Sequence, residues 1–347
     1  FFIRWDGSVL APETGDYEFI VRTEHSVKLW VNDPKKPLID RWVKSGDDTE
    51  FRETIHLLGG RVYPIKLEFS KGKQGEKDGQ KDPDPPPTKA TIALLWKQPG
   101  HVQETIAQRY LSPEWAPETF VVQTPFPPDD RSVGYERGST ISKAWDSATT
   151  DAALETASYV VAHLRELAGF KEDGSDREAK VQEFCRNFAE RAFRRPLTDE
   201  QKAVFLDRPF ASGLGPDALV KRVVLGVLKS PRFLYHDLDG QLDSYDIASR
   251  ISYGLWDSLP DNALLQAAAE QKLATPEEIA AQAERMVNDL RTRSKVREFL
   301  LQWLRVDRTA EVSKDSQLFP QFSPEIASDL RTSLELLLED VVWTDSS

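Results

Sequence analysis

Apolar and polar residues alternate with a period of two from residue 1 to about residue 110. Tyr17, Phe19 and Val21 alternate with their neighbours, and the same period recurs at 27–31, 63–69 and 92–96. This alternation predicts β-strands with one buried face. Turn-forming residues separate the runs at 13–16, 32–34 and 59–60. The first third of the chain is therefore predicted to be an antiparallel β-sandwich or barrel, with the sandwich taken as the expected fold.

Beyond Asp151 the apolar residues recur with the period of an α-helix. Thr198 with Gln201, and Thr275 with Glu278, fit the capping box that begins a helix. The pattern predicts helices at 151–167, 177–193, 217–229, 245–256, 262–270 and 324–342. The second part of the chain is therefore predicted to be all-α.

Two stretches of different composition interrupt these patterns. Residues 71–89 combine Gly and Pro with Lys, Gln and Asp, which predicts a mobile loop. Residues 115–150 begin with a proline-rich segment and predict an extended linker. We therefore expect an α+β multidomain chain, with a sandwich at 1–114, a linker at 115–150, a first helical domain at 151–238 and a second at 239–347.

Composition and charge narrow the classes of function. The formal net charge of −12 over 347 residues argues against nucleic-acid binding, which needs a concentrated basic face. No apolar run approaches the roughly 18 residues of a membrane span. Cys185 is the single cysteine, so an intrachain disulfide, a multi-cysteine zinc site and a c-type haem attachment are excluded. The abrupt start and end indicate an internal piece of a longer polypeptide, with no readable signal sequence.

The sequence carries none of the common catalytic or metal-binding motifs. The sequence has no recognisable nucleophile triad, H-E-x-x-H, G-x-S-x-G or phosphate-binding loop, and its five histidines have no ligand-like spacing. A calcium loop at 236–243 is rejected because Leu242 stands where the EF-hand pattern needs Gly. We therefore expect no metal site and no cofactor in these residues, and the sequence leaves enzymatic activity open.

Four short motifs in the first part resemble a known β-sandwich family. Trp-Asp-Gly at 5–7, Gly-Asp-Tyr-Glu-Phe at 15–19, Val-Lys-Leu-Trp-Val-Asn at 27–32 and Ile-Asp-Arg-Trp at 39–42 resemble the protective-antigen (PA-14) module of glycosidases, adhesins and toxins. The resemblance covers about the first 110 residues and lacks the opening strands of the family. It implies sugar binding, in some members through calcium held by adjacent acidic residues in the loop that corresponds to 23–26. Only Glu24 is acidic in that loop, which argues against calcium here.

The helical part resembles planctomycete-type domains of unknown function that accompany c-type cytochrome domains in large exported proteins. The similarity lies in FCRNFAERAFRRPLT at 184–198, in SPRFLY at 230–235 and in ASRISYGLW at 248–256 followed by LPD at 259–261. The resemblance implies a periplasmic, secreted or cell-surface location. It also implies neighbouring haem-binding and helical domains outside these residues.

Five residues of the β-rich part are candidates for a glycan site. Sugars are commonly held by aromatic faces and planar hydrogen-bonding groups in shallow clefts. The residues of this kind near predicted loop ends are Glu24, His25, Trp30, Arg41 and Trp42. The alternative interpretation is that both tryptophans pack inside the sandwich.

Three hypotheses of function follow. The first is a non-catalytic module that recognises a polysaccharide or glycoprotein, with the helical region as its scaffold. The second is that the acidic helical region docks a c-type cytochrome within an oxidoreductase assembly, since opposite charge speeds encounter. The third is a purely structural protein of the cell envelope.

Overall fold

A computed structural model describes residues 1–43, 47–71, 90–127, 142–171, 175–235, 242–306, 314–315 and 317–344. The predicted loop at 71–89 and the rejected calcium loop at 236–243 lie almost wholly outside the described residues, as does the middle of the predicted linker. The chain divides into two compact units, Phe1–Val121 together with Val287–Ser347, and Val122–Met286. The four predicted domain limits stay a prediction.

Nine strands of the described residues build the first unit. They are β1 (Phe2–Ala11), β2 (Gly15–Thr23), β3 (Ser26–Val31), β4 (Ile39–Arg41), β5 (Glu50–Leu57), β6 (Arg61–Ser70), β7 (Ile92–Lys97), β8 (Glu104–Thr105) and β9 (Leu111–Ser112). They form two antiparallel sheets with the strand orders β4-β3-β6-β1-β9 and β5-β2-β7-β8. The predicted antiparallel sandwich is therefore confirmed.

The inner faces of both sheets carry the alternating apolar residues. Tyr17, Phe19 and Trp96 are fully buried, and the rings of Tyr17 and Tyr110 lie 5.5 and 5.1 Å from the ring of Trp96. Strand β5 lacks the predicted alternation because the exposed Glu53 interrupts the positions that face the core and only Phe51 and Leu57 are buried. Alternation thus identifies the strands whose inward positions are all large and apolar.

Twelve α-helices lie in the described residues, with a 3-10 turn at Gln108–Tyr110 and a π-helical turn at Ala203–Asp207. They are α1 (Lys143–Ala162), α2 (Leu164–Ala168), α3 (Arg177–Phe193), α4 (Asp199–Lys202), α5 (Arg208–Phe210), α6 (Pro216–Leu228), α7 (Pro231–Leu234), α8 (Ser244–Trp256), α9 (Asn262–Ala269), α10 (Pro276–Val287), α11 (Leu290–Trp303) and α12 (Pro324–Trp343). All six predicted helices are present, although the one predicted at 151–167 is divided between α1 and α2. Both predicted capping boxes form, at Thr198 and at Thr275.

Two apolar clusters hold the second unit together. The first lies among α1, α3 and α6 and includes Cys185, Val220 and Val224, which have no exposed surface. The second lies among α8, α9 and α10, where the indole N–H of Trp256 donates to the carbonyl of Met286 at 3.1 Å. Each cluster sits where the apolar stripes of neighbouring helices meet.

Arg194 ends α3 and is itself buried. Its backbone is left-handed, with φ of 62°, and its side chain is 5% exposed. The guanidinium donates to the carbonyls of Arg232 at 2.8 Å and Tyr235 at 3.0 Å, in the segment that follows α6. A charged donor here satisfies carbonyls that the short helix α7 leaves without helical partners.

Helices α11 and α12 pack on the sandwich within the first unit. The turn between β5 and β6 meets α11 so closely that a Cβ on Gly60 would lie 2.6 Å from the Cα of Arg291. Ser294 of α11 donates through its hydroxyl to the carbonyl of Pro12 at 3.0 Å. The glycine pair at 59–60 therefore serves the helix contact as well as the turn, since Gly60 also has a φ of +69°.

Candidate binding surface on the sandwich

An aromatic and charged cluster lies on the outer face of the five-stranded sheet. The rings of Phe2 and Trp42 meet edge to face, with their centroids 6.1 Å apart and their planes at 72°. The ammonium of Lys28 lies 5.8 Å from the ring centroid of Trp42. Phe2 is 55% exposed, and Trp42 is partly exposed. We call Phe2, Lys28, Asp40 and Trp42 the outer-face patch.

Asp40 holds the outer-face patch in place. It lies directly opposite Lys28 in the pairing of β3 with β4, and its Oδ2 is 3.0 Å from the ammonium of that lysine. Its Oδ1 accepts the backbone N–H of Trp42 at 3.2 Å. The carboxylate of Asp40 therefore fixes both the backbone of Trp42 and the side chain of Lys28. Groups that are already fixed lose less conformational entropy when a ligand binds.

Trp30 also lies on the outer face, but it is covered. Its ring is 9% exposed, and the ammonium of Lys66 stands 3.5 Å from the ring centroid. The two residues face each other in the pairing of β3 with β6. A lysine over an indole at this distance is a cation–π contact that occupies one face of the ring. Trp30 is thus a support of the sheet surface rather than an open platform.

Glu24 and His25, the predicted site residues in the β2–β3 turn, lie outside the outer-face patch. His25 packs its ring 5.7 Å from that of Phe69, and its buried Nε2 has no hydrogen-bond partner among the described residues. The backbone N–H of His25 donates to Thr23 at 3.1 Å, and Glu24 is exposed. The turn offers one carboxylate and one imidazole, which is a poor set for a hard cation such as calcium.

Arg41 points to the inner side of the sheet edge. It pairs with Val27, whose side chain is in the core, and its guanidinium lies 5.5 Å from the ring of Phe51. Of the five predicted site residues, the structure therefore brings only Trp42 into the outer-face patch, and the aromatic and cation–π contacts of the others lie outside it. The prediction of a glycan site at these five residues stays a prediction.

Phe2, Lys28 and Asp40 are the patch residues that the sequence did not single out as candidates. The strand pairing identifies Phe2 and Lys28, because Phe2 occupies an outward position of β1 and Lys28 an outward position of β3. Their strands are separated by β6, so only the sheet order reveals that these positions share a surface. Pairing order between non-consecutive strands is not contained in local alternation.

A second cluster of chemical interest is buried where α12 meets the sandwich. Arg331 and Arg297 bracket Glu335, with Nε of Arg331 2.7 Å from Oε1 and Nη2 of Arg297 2.5 Å from Oε2. The same two guanidiniums contact Glu13 at 3.0 and 3.2 Å. His101 completes the group, with Nε2 3.4 Å from Oε1 of Glu335 and outside normal hydrogen-bond geometry. We call these five residues the buried ion network.

The buried ion network contains a possible metal-ligand set that its own cations oppose. Ligand atoms of Glu13, His101 and Glu335 lie within 4.8 Å of one another. However, two arginines already neutralise the two carboxylates, and a divalent cation would have to displace them. Burial would raise the pKa of Glu335, but the contact with His101 and the charges of Arg297 and Arg331 outweigh it and lower the pKa to about 2. The group therefore fits a structural ion network better than a metal site.

Comparison with protein families gives the architecture of the chain. Residues 1–109 match the PA14 domain, residues 180–237 match PSD5, a protein of unknown function (DUF1595), and residues 242–347 match PSD4, a protein of unknown function (DUF1592). The chain therefore carries a PA14 domain followed by a DUF1595 and a DUF1592 domain, as the motifs predicted. PA14 domains typically occur in extracellular proteins.

One curated relative is similar to about a third of the chain. Anti-sigma-I factor RsgI3 of Acetivibrio thermocellus is 30% identical over 115 residues, which are 33% of this chain and 15% of that protein. The chain thus matches about a seventh of the length of this relative.

Three solved structures are similar over parts of the chain. An anti-sigma factor domain-containing protein is 30% identical with a TM-score of 0.26, covering 33% of this chain and 34% of that one. A second such protein, from Clostridium clariflavum, is 22% identical with a TM-score of 0.25, covering 36% of each chain. The beta-glucosidase from Kluyveromyces marxianus in complex with glucose is 28% identical with a TM-score of 0.18. The similarity covers 20% of this chain and 8% of that one.

Hydropathy bears on the predicted absence of a membrane span. Within the described ranges, the structure has no helix that is long and apolar enough to cross a membrane.

Proposed function

We propose that the PA14 domain of this chain is a non-catalytic module that binds a carbohydrate through the outer-face patch. The observation that carries the proposal is the open edge-to-face pair of Phe2 and Trp42 beside Lys28 and Asp40. It combines an apolar platform with a hydrogen-bond donor and an acceptor at its rim. Polysaccharides and glycoproteins are the partners that this chemistry suits.

The outer-face patch offers both an apolar surface and hydrogen-bonding groups, which are the two kinds of contact that hold a sugar. In the proposed complex, the axial C–H groups of a pyranose ring pack on the partly exposed indole of Trp42 and on Phe2, where burial of apolar surface contributes about 25 cal/mol per Å². The hydroxyl groups at the edge of the sugar accept from Lys28 and donate to Asp40. Because these two groups already pair with each other at 3.0 Å, the sugar would join an existing polar network rather than break one.

Calcium has no part in the proposed site. The outer-face patch contains a single carboxylate, and the β2–β3 turn supplies only Glu24 as an acidic side chain. Calcium sites in proteins gather six to eight oxygen ligands, several of them carboxylates. Binding is therefore proposed to be independent of calcium. A module of this kind serves outside the cytoplasm, in a periplasmic, secreted or cell-surface protein, with the helical domains as its scaffold.

A glycan array tests the proposal. The full chain is applied with calcium and with a chelator, and Lys28→Ala and Asp40→Asn are run beside it. We expect a restricted set of polysaccharides to bind equally in both buffers and to be lost from both variants. Absence of any glycan ligand for the wild-type chain contradicts the proposal and leaves cytochrome docking or an envelope role as the remaining hypotheses. Loss of binding with the chelator contradicts calcium independence alone.

A further inference from the structure

A cavity of about 260 Å³ lies between the sandwich and helices α11 and α12 of the same unit. Its walls are mostly apolar and include Leu290, Leu300 and Val342, together with several charged side chains. The volume is slightly below the roughly 300–1,000 Å³ of pockets that hold drug-sized ligands. The cavity therefore suits a small organic molecule with an apolar body.

The inner end of the cavity is closed by charges that are already paired. Arg297 and Glu335 of the buried ion network line it, and their side chains are 2.5 Å apart. Both also contact further members of that network. These two groups have little capacity left for a ligand, so they shape the cavity rather than give it a net charge.

The cations nearer solvent are differently placed. Arg109 is exposed and has no ion-pair partner among the described residues, and its guanidinium lies 4.6 Å from the ring centroid of Tyr110. Arg293 is 3.8 Å from Glu339 and 5.0 Å from the ring centroid of Trp343. Both guanidiniums therefore lie against aromatic faces. The N–H edge of Arg109 is open to an acceptor, and that of Arg293 is 3.8 Å from Glu339, beyond hydrogen-bond distance, so it can also donate to a ligand. Arginine edges of this kind are suited to a carboxylate.

We infer that this cavity binds a small amphipathic carboxylate. Its charged end is held by Arg109 and Arg293, and its apolar body packs against Leu290, Leu300 and Val342. The excess of arginine over glutamate among the lining residues disfavours a cation, and the aliphatic walls disfavour a small hydrophilic anion such as phosphate. This site is separate from the outer-face patch and does not depend on the proposed glycan function.

Calorimetric titration of the full chain tests the inference, with octanoate and 3-phenylpropanoate as probes. Octanol and octylamine, which keep the apolar chain but lack the negative charge, are the matched ligands. We expect saturable binding of at least one carboxylate and binding at least about tenfold weaker for both uncharged and cationic analogues, because charge-assisted hydrogen bonds are roughly twice as strong as neutral ones.

Variants locate the site. Arg109→Ala with Arg293→Ala is expected to weaken carboxylate binding about tenfold or more, and Leu300→Trp is expected to abolish it by filling the cavity. Arg4→Ala, an exposed arginine of β1 outside the lining, is the control and is expected to bind as the wild type does. The inference is overturned if neither carboxylate binds, if octanol binds as tightly, or if the double arginine variant remains folded by circular dichroism and binds unchanged.

Discussion

Arg331 forms a bifurcated contact with Glu13, in which Nη2 of the arginine lies 3.0 Å from each carboxylate oxygen. The two residues are 318 positions apart in the sequence. Tyr17 donates through its hydroxyl to the carbonyl of Glu13 at 2.8 Å and so fixes the turn that carries the carboxylate. This contact joins α12 to the β1–β2 turn. The sandwich and the last two helices are therefore one structural unit in which a buried ion network replaces part of an apolar core.

Replacement of Arg331 by methionine is expected to destabilise this unit strongly. Arg331 is 5% exposed, and its removal leaves Arg297 as the one guanidinium among the described residues that contacts both Glu13 and Glu335. Loss of one partner from a buried ion pair costs about 3–5 kcal/mol. The measurement is the opening free energy of the α12 amides by hydrogen exchange. Lys202→Met, in the exposed pair with Asp199, is the control, and an equal effect of both variants would refute the role of the network.

Acid is expected to loosen the same unit through Glu335. The pKa of this carboxyl is about 2 in the folded chain, below the value near 4.3 of an unfolded glutamate. The unfolded state then takes up the proton first, so the stabilisation is fully present above about pH 5 and is lost as the pH falls toward 2. Urea midpoints measured across this range should fall steeply for the wild type. Glu335→Gln should start lower and fall less, and parallel curves would contradict the assignment.

Gly60→Ala is expected to disrupt the contact between α11 and the sandwich. The added Cβ would lie 2.6 Å from both Cα of Arg291 and the carbonyl oxygen of Leu290, and the residue would keep a φ of +69°. Gly213→Ala is a matched control, since its φ is +71° and nothing lies within 4 Å of its Cβ. The control should cost about 1 kcal/mol for the left-handed backbone alone. Calorimetry should find Gly60→Ala at least twice as destabilising, and equal costs would argue against the contact.

Arg194→Met is expected to destabilise the second unit. The side chain is buried, and four carbonyls accept from its guanidinium at 2.8–3.3 Å. Methionine fills most of the volume but leaves those carbonyls unsatisfied, at about 1–3 kcal/mol for each buried group that water cannot reach. Thermal unfolding monitored by circular dichroism measures the effect. Arg195→Met, which removes partly exposed ion pairs with Asp243 and Asp246, should cost less.

Much of the fold could be predicted because its elements carry local signals. Helix α3 was predicted at the residues where it occurs, since Arg177 to Phe193 is a continuous amphipathic run. Helix α11 was missed because most of its side chains are charged or polar and only Thr292 and Leu301 are buried. Such a helix is held by its tertiary contacts, which sequence periodicity does not report.

The candidate sites were less predictable for the same reason. Trp42 and His25 could be chosen by residue type, but the partners of Trp42 come from strands β1 and β3. His101 and Glu335 are more than 200 residues apart in sequence, and neither carries a motif around it. The order of strands in the sheets and the packing of the helices bring these groups together. Short-range spacing in the sequence reports neither the strand order nor the helix packing.

Titration of the full chain with a polysaccharide selected on the array, comparing wild type, Trp42→Ala and Trp115→Ala, tests the recognition function most directly. Trp115 is 58% exposed and belongs to the same unit but not to the outer-face patch, so it controls for loss of an exposed indole. Stacking on an aromatic ring contributes about 1 kcal/mol or more. The account predicts at least fivefold weaker binding for Trp42→Ala, on the order of that energy, and unchanged binding for Trp115→Ala. Equal affinity of all three chains would contradict it.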